Sequence, residues 1–271
     1  MCMDICNRLS PIKFAEADDF LTFISIYEDK ARERAYKKLL WQNRHLIEGK
    51  VCVEAGCGMG IFSEYMASLK AKKVYAIEVN PHMYKAAKKR LSGNPVIEVV
   101  NSDITKFDPG EKINVCVHEL YGQLLLDEEL LMLEKLKFKP VHMLPDGGKL
   151  QGGITMLNRL HDRIVTPEIL AQLDSVLVSG LFDEGKLPLK FDILEWQWGK
   201  KTTAKAVCDI RSLSGDLLYM GVRVMHKGRE ICRAGKCPNW SFIWTPRTGN
   251  CFSISFSRGL RAPDPMFGWQ Q

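Results

Sequence analysis

Val51-Cys-Val-Glu-Ala-Gly-Cys-Gly-Met-Gly60 joins an apolar run ending near Glu54 to glycines at 56, 58 and 60. Without Cβ atoms the backbone can turn sharply there and let a ligand approach closely. Glu78 ends the next apolar run, 18 residues after Gly60, where a carboxylate is placed to accept two ribose hydroxyls. Asp103 follows a third run, VIEVVNSDI, where an acid can accept from an adenine amino group. Glu119 and Glu128 bracket a further segment with Gly122 between them. A carboxylate matches the planar guanidinium fork bidentately, and two can grip it from both sides. A guanidinium is protonated near neutral pH, so its nitrogens are poor nucleophiles. Two acids that draw positive charge onto the nitrogens they touch leave more lone-pair character on the third. Positioning supplies the rest.

Those residues need elements to hold them. VCVEA, VYAIE, VIEVV and INVCVHE read as four strands separated by helix-length stretches, which implies βαβ units and a parallel, Rossmann-like α/β sheet. The glycines then lie between the first strand and the helix IFSEYMASL, and the two glutamates follow the fourth strand, whose carboxyl end faces the ligand in such folds. His118 stands at that strand end, either as a satisfied structural histidine or as a substrate contact. Upstream, residues 18 to 42 read as one or two helices with Phe20, Phe23, Ile24 and Tyr27 on one face and Leu39, Leu40 and Trp41 closing the segment. After about Gly153 the pattern becomes period-two. Leu218, Met220, Val222 and Val224 form one face, Phe252, Ile254 and Phe256 another, with polar residues expected opposite. This predicts an α/β domain over 1–155 and a smaller antiparallel, barrel-like domain over 156–271, with a helical segment from Thr166 to Pro188 between them.

With 46% hydrophobic and 26% charged residues in 271, the composition is that of a globular protein. The net charge of +6 is unevenly spread: residues 1–155 carry 22 basic against 21 acidic groups, and residues 200–261 carry 12 against 3. MCMDICNRLSPIKF has no apolar core of the signal-peptide kind, and no run approaches the ~18 apolar residues of a membrane span, so no membrane partner is expected. Nine scattered cysteines, with Cys52 and Cys116 in apolar runs, imply a reduced, cytoplasmic setting. Cys2/Cys6 and Cys232/Cys237 are spaced loosely enough for metal ligation, but neither is a CxxC. Unpaired surface thiols and no metal are the expectation.

The E-x-G-x-G-x-G pattern departs from the G-x-G-x-x-G of dinucleotide folds and resembles methyltransferases that use S-adenosylmethionine (SAM), a cofactor without phosphate to cradle. The [DN]PP[YFW] motif of adenine-N6 and glutamine methylation is absent, and His118-Glu-Leu-Tyr121 stands in its place. The spacing of Glu119, Gly122 and Glu128, the Glu54–Gly60 loop with Glu78, and the upstream Arg32, Tyr36 and Asn43-Arg44-His45-Leu46 together resemble the protein arginine N-methyltransferases. PDGGKLQGGIT is similar to the segment leading into that family's β-barrel, so the likeness covers residues 25–157 well and the rest loosely. It implies SAM held by Arg32, Tyr36, Glu54, Gly56, Gly58, Gly60, Glu78 and Asp103, with Arg32 on the cofactor carboxylate and Tyr36 closing over the pocket. It implies Glu119 and Glu128 as catalytic residues, and a substrate side formed by His118, Tyr121, Asn239 and Trp240. The chain departs from the family where a Thr-His-Trp loop is replaced by Pro238-Asn239-Trp240, and no counterpart of the helical dimerisation arm stands out.

The leading expectation is methyl transfer from SAM to a guanidino nitrogen in a protein, a peptide or free arginine-like small molecules. The charge of residues 200–261 disfavours a densely cationic acceptor. Two other readings stand beside it: an RNA methyltransferase that holds phosphates on the basic β-domain, and a noncatalytic scaffold with a methyltransferase fold.

Overall fold

The structure is a computed structural model that describes residues 9–159, 165–180, 187–259 and 261–271. Its chain divides into two compact units. The first comprises Met1–His118 and Phe138–Val141, the second Glu119–Lys137 and His142–Gln271. The division differs from a break after residue 155, because Gly147–Thr155 is a full strand of the second unit, paired over nine residues with Leu217–Met225.

In the first unit, helix α1 (Pro11–Glu28) starts on the side-chain cap of Ser10 with Pro11 in the first turn. Asp29 interrupts the helical run and caps α2 (Lys30–Gln42), its carboxylate accepting from the Arg32 amide at 2.9 Å. The expected helical stretch is therefore two helices with one residue between them. The buried positions of α2, Arg32, Tyr36, Leu39 and Leu40, recur at helical spacing, whereas Ile24 and Trp41 are exposed. Strands β1 (Val51–Ala55), β2 (Lys73–Glu78), β3 (Ile97–Asn101) and β4 (Val115–His118) alternate with α3 (Ile61–Ser68) and α4 (Pro81–Leu91). They pair in parallel in the order β3-β2-β1-β4. Every residue of β1 and β4 is buried, as apolar strands covered on both faces must be.

The second unit opens with the Glu119–Glu128 segment and a 3-10 turn, Glu129–Lys135. Its elements are β5 (His142–Leu144), β6 (Gly147–Thr155), α5 (Pro167–Gln172), β7 (Val178–Ser179), β8 (Phe191–Gln197), β9 (Lys205–Asp209), β10 (Leu217–His226), β11 (Arg229–Arg233), β12 (Ile243–Pro246), β13 (Cys251–Phe256) and β14 (Pro265–Gln270). One antiparallel sheet runs β7-β12-β10-β6-β8 with β11 on β10, and another runs β14-β13-β9. Among the described residues of the expected linker helix Thr166–Pro188, Pro167–Gln172 is α-helical and Val178–Ser179 is a strand that pairs with β12. Strand β13 alternates buried and half-buried as its pattern predicts, with Phe252, Ile254 and Phe256 inside. Strand β10 does not. Leu217 through Val222 are all buried, because the strand is central and its second face carries Tyr219 (1% exposed) edge-on to Phe242. No helix among the described residues is long and apolar enough to cross a membrane.

Candidate active site

The glycine loop is built from the strand below it. Gly56, Gly58 and Gly60 all have positive φ, +68°, +52° and +74°, a backbone region that disfavours any Cβ. A Cβ on Gly58 would fall 2.4 Å from the Tyr27 hydroxyl, and one on Gly60 2.5 Å from Leu91 Cδ1. The helix face that carries Phe23 and Tyr27 therefore lies against this loop, and the Met59 amide donates to the Tyr27 hydroxyl at 2.5 Å. Tyr27 was legible only as a member of a helical face. Its contact with the loop makes it a further residue of the site, and burial holds its phenol well above its ordinary pKa.

Glu78, at the end of β2, is clamped by backbone donors: the Gly58 amide reaches Oε2 at 2.8 Å and the Asn80 amide reaches Oε1 at 2.7 Å. Glu54, 3% exposed at the end of β1, accepts from both the amide (2.6 Å) and the hydroxyl of Ser63 in the first turn of α3. It thereby satisfies donors that the Gly60 cap leaves without a side-chain partner. Burial pushes its carboxyl up to about 8, against the lowering effect of the Ser63 bonds. Asp103 Oδ1 accepts from the amide (2.8 Å) and hydroxyl (2.7 Å) of Thr105, an Asx-type turn after β3. Arg32 is 5% exposed, donates from Nη2 to the Ile26 carbonyl at 3.2 Å and lies 4.0 Å from the Asp29 carboxylate. Tyr36 is fully buried and stacks on Phe62 with ring centroids 5.1 Å apart. His118, also fully buried, ends β4 in register with Ala55.

The second unit holds the glutamate loop. Glu119 is half-buried and Glu128 exposed. Between them the chain folds on itself: the Leu125 amide donates to the Gly122 carbonyl at 3.1 Å, and Leu125 takes a φ of +73°. Asp127 accepts the Leu124 amide at 2.8 Å. A Cβ on Gly122 would lie 2.0 Å from Asp127 Oδ1 and 2.9 Å from the Glu128 amide. Gly122 thus makes room for an internal carboxylate brace, and Asp127 is a positioning residue that spacing alone did not single out. Burial raises its pKa.

Tyr121 and Trp240 come together. Tyr121, 1% exposed, donates its hydroxyl to the Gly147 carbonyl at 2.9 Å and sits edge-on to Trp196 and Trp240, with centroids 6.0 and 6.3 Å apart. The Trp240 indole donates to the Tyr121 carbonyl at 3.3 Å, and Gln123 Nε2 donates to the Asn239 carbonyl at 3.3 Å. The glycine pair that opens β6 has a reason here, since a Cβ on Gly148 would stand 2.6 Å from the Tyr121 ring.

The cysteine reading needs one correction. Cys232, in β11, and Cys237, in the following turn, form a disulfide across a Cα separation of 6.4 Å, with both residues 2% exposed. The tight turn brings their backbones within bonding range. Cys52, Cys57, Cys116, Cys208 and Cys251 are unbonded. Cys2 and Cys6 lie outside the described residues, among which no group of His, Cys, Asp and Glu is arranged to hold a metal ion.

Comparison with known proteins agrees with this layout. A family profile described as ribosomal RNA adenine dimethylase matches residues 31–142. The chain is 34% identical over 107 residues to the probable protein arginine N-methyltransferase 6 of Arabidopsis thaliana, a match covering 38% of this chain and 24% of that protein. It is 33% identical over 125 residues to protein arginine N-methyltransferase 6 of Danio rerio, covering 42% and 36%. The matched stretch thus spans about a quarter to a third of these relatives. Among solved structures, one described as the crystal structure of PRMT6 superposes with a TM-score of 0.69 at 15% identity, covering 93% of this chain and 99% of that one. The Arabidopsis thaliana protein arginine methyltransferase 10 structure gives 0.62 at 16% identity, covering 93% and 95%. The fold is that of the protein arginine methyltransferases, a Rossmann-type parallel sheet with a separate antiparallel β unit, and the chain resembles that family in sequence.

Proposed function

We propose that this chain is a SAM-dependent N-methyltransferase that acts on a guanidino nitrogen of arginine, with Glu119 and Glu128 as its catalytic residues. The observation that carries the proposal is the glutamate loop. A glycine, a left-handed leucine and a half-buried aspartate shape the backbone between two acids that leave the end of β4 nine residues apart. A solvated surface pair needs no such construction.

The first unit fits the cofactor. Three left-handed glycines form a turn with no room for Cβ atoms at Gly58 and Gly60, and Glu78 is fixed beside it by two backbone donors. Gly56, Gly58, Gly60, Glu78 and Asp103 would hold SAM, Arg32 its carboxylate, and Tyr36 the closing side. Glu54 would serve by fixing α3 behind the glycines. A solved relative from Trypanosoma brucei, the PRMT1 enzyme-prozyme complex, is described with the cofactor product AdoHcy. When bound, SAM supplies a methyl group activated by its sulfonium. Glu119 and Glu128 grip the guanidinium, orient one nitrogen and draw charge to the other two. As that nitrogen gains the methyl it gives up a proton to solvent water, so the product stays a monocation. Tyr121, Trp240, His118 and Asn239 would serve the substrate side, the buried rings of Tyr121 and Trp240 by bracing the glutamate loop.

The acceptor is a protein or peptide arginine with few neighbouring cations, or a free arginine-like small molecule. A cytoplasmic location belongs to the same proposal, supported by unbonded cysteines in the apolar interior; fractionation of a tagged chain into a secreted or membrane pool would reject it. Label transfer from radiolabelled SAM to arginine peptides and to free arginine tests the function. Glu119→Gln is expected to lower transfer on the order of 100-fold while SAM still raises the melting temperature. Equal transfer by the variant rejects the clamp, and label in RNA instead of arginine rejects the acceptor class.

A further inference from the structure

The Cys232–Cys237 disulfide stands one step from the glutamate loop. Cys232 is held by β11, in register with Val224 of β10. The turn that follows is closed by the Lys236 and Cys237 amides, both donating to the Arg233 carbonyl at 3.1 Å. The Cys237 carbonyl then accepts the Trp240 amide at 2.9 Å, and the Gly235 amide donates to the Trp240 carbonyl at 3.2 Å. Trp240 and Asn239 are the residues that reach Tyr121 and Gln123, both inside the stretch bounded by Glu119 and Glu128. A continuous path therefore runs from the sheet, through the sulfur–sulfur bond, to the backbone that carries the two acids. The short irregular segment Cys237–Trp240 is tied back to β11 by the covalent link as well as by these hydrogen bonds.

We infer that the Cys232–Cys237 disulfide is a positioning element for the glutamate loop, so that arginine methylation by this chain responds to thiol redox state. The inference rests on the proposed arginine activity. Reduction by a dithiol breaks the Cys232–Cys237 bond through a mixed disulfide. The reductant's second thiol then closes its own disulfide, and two electrons and two protons end on the two cysteine thiols. Burial holds the Cys52 thiol up at about 12 and raises those of Cys57, Cys116 and Cys208, which keeps them protonated and slow in exchange. Loss of the link leaves the glycine loop and Glu78, in the other unit, with all their bonds.

The test compares oxidised protein, protein reduced with dithiothreitol, and the Cys232→Ser/Cys237→Ser variant, with reduction verified by the mass gain of two hydrogens. Amide hydrogen exchange over residues 120–128 is expected to speed up about tenfold once the bond is broken. kcat on an arginine peptide should fall about tenfold, as a small misplacement of a catalytic group predicts, with the SAM-induced rise in melting temperature retained. The variant should match the reduced protein and ignore dithiothreitol. Unchanged exchange over 120–128 overturns the inference whatever the activity, and so does a variant that still responds to dithiothreitol. Should the variant fail to fold, the reduced wild type decides alone. Faster exchange on reduction, in a protein that transfers no methyl to arginine even when oxidised, rejects the arginine reading and leaves the positioning role standing.

Discussion

Glu54 and Gly58 sit four residues apart and answer to different physics. Glu54 is a buried acid whose pKa of about 8 comes from desolvation, partly offset by the Ser63 donors. Unfolded, it ionises near 4.5; folded, it keeps its proton up to about 8. Between those values the native state binds more protons than the unfolded one, so this group makes stability fall as pH rises and stops doing so above about 8. Glu54→Gln keeps an oxygen for Ser63 and cannot ionise. Its melting temperature is expected to decline less than wild type between pH 5 and pH 8, and parallel curves in thermal melts would reject the assignment. Gly58→Ala instead meets a backbone penalty of ~1–2 kcal/mol for the left-handed region, plus the Tyr27 hydroxyl. Thermal melts should show a drop of several degrees and a much smaller rise on adding SAM. An unchanged SAM response would separate the loop from the cofactor.

At the scale of elements, the glutamate loop offers the sharpest test of how backbone shape serves chemistry. Gly122→Ala must displace either Asp127 or the Glu128 amide. Methyl transfer should fall on the order of 100-fold with SAM binding intact, because the glycine turn belongs to the other unit. Asp127→Asn keeps an acceptor for the Leu124 amide and should retain most of the activity that Asp127→Ala loses, measured as kcat at saturating SAM. Equal losses in the two variants would show that charge, not the backbone bond, matters at Asp127. What was legible beforehand follows from the range of the forces involved. The four parallel strands and the glycine turn were readable because apolar runs and φ-permissive residues are local signals. The break at Asp29 was blurred because capping there interrupts the helical pattern for only one residue. The second buried face of β10 was hidden, since Gly221 and Tyr219 do not look apolar in a period-two count although both are enclosed. The assignment of Gly147–Thr155 to the second unit and the Cys232–Cys237 bond depend on partners 62 to 78 residues away or on turn geometry, and neither leaves a spacing signature.

Across the whole chain, the charge imbalance becomes a statement about acceptors once its pairing is known. Of the 12 cations in residues 200–261, Arg223, Arg233 and Lys236 converge on Glu230, with Lys236 at 2.6 Å, and Arg211 pairs with Asp209. Arg258 and Arg261 reach Glu134 and Glu129, in the turn directly after Glu128. Lys200, Lys201 and Lys205 instead line a cavity of about 280 Å³ beside β8, where Glu195 is the acid present. The second unit, which is proposed to hold the acceptor, thus keeps an exposed cationic rim at Lys200, Lys201 and Lys205. An arginine-dense peptide is repelled by that rim, and salt shortens the reach of the repulsion from about 10 Å at 0.1 M to about 3 Å at 1 M. Its KM is therefore expected to fall severalfold as salt rises, whereas a peptide with one arginine and no other charge should hold a nearly constant KM. Replacing Lys200, Lys201 and Lys205 by Glu should lower the KM of the arginine-dense peptide at low salt and abolish that salt trend, without altering kcat. A wild-type KM that climbs with salt for the cationic peptide would mean that attraction governs its encounter, and the rim would then have no part in selecting the acceptor.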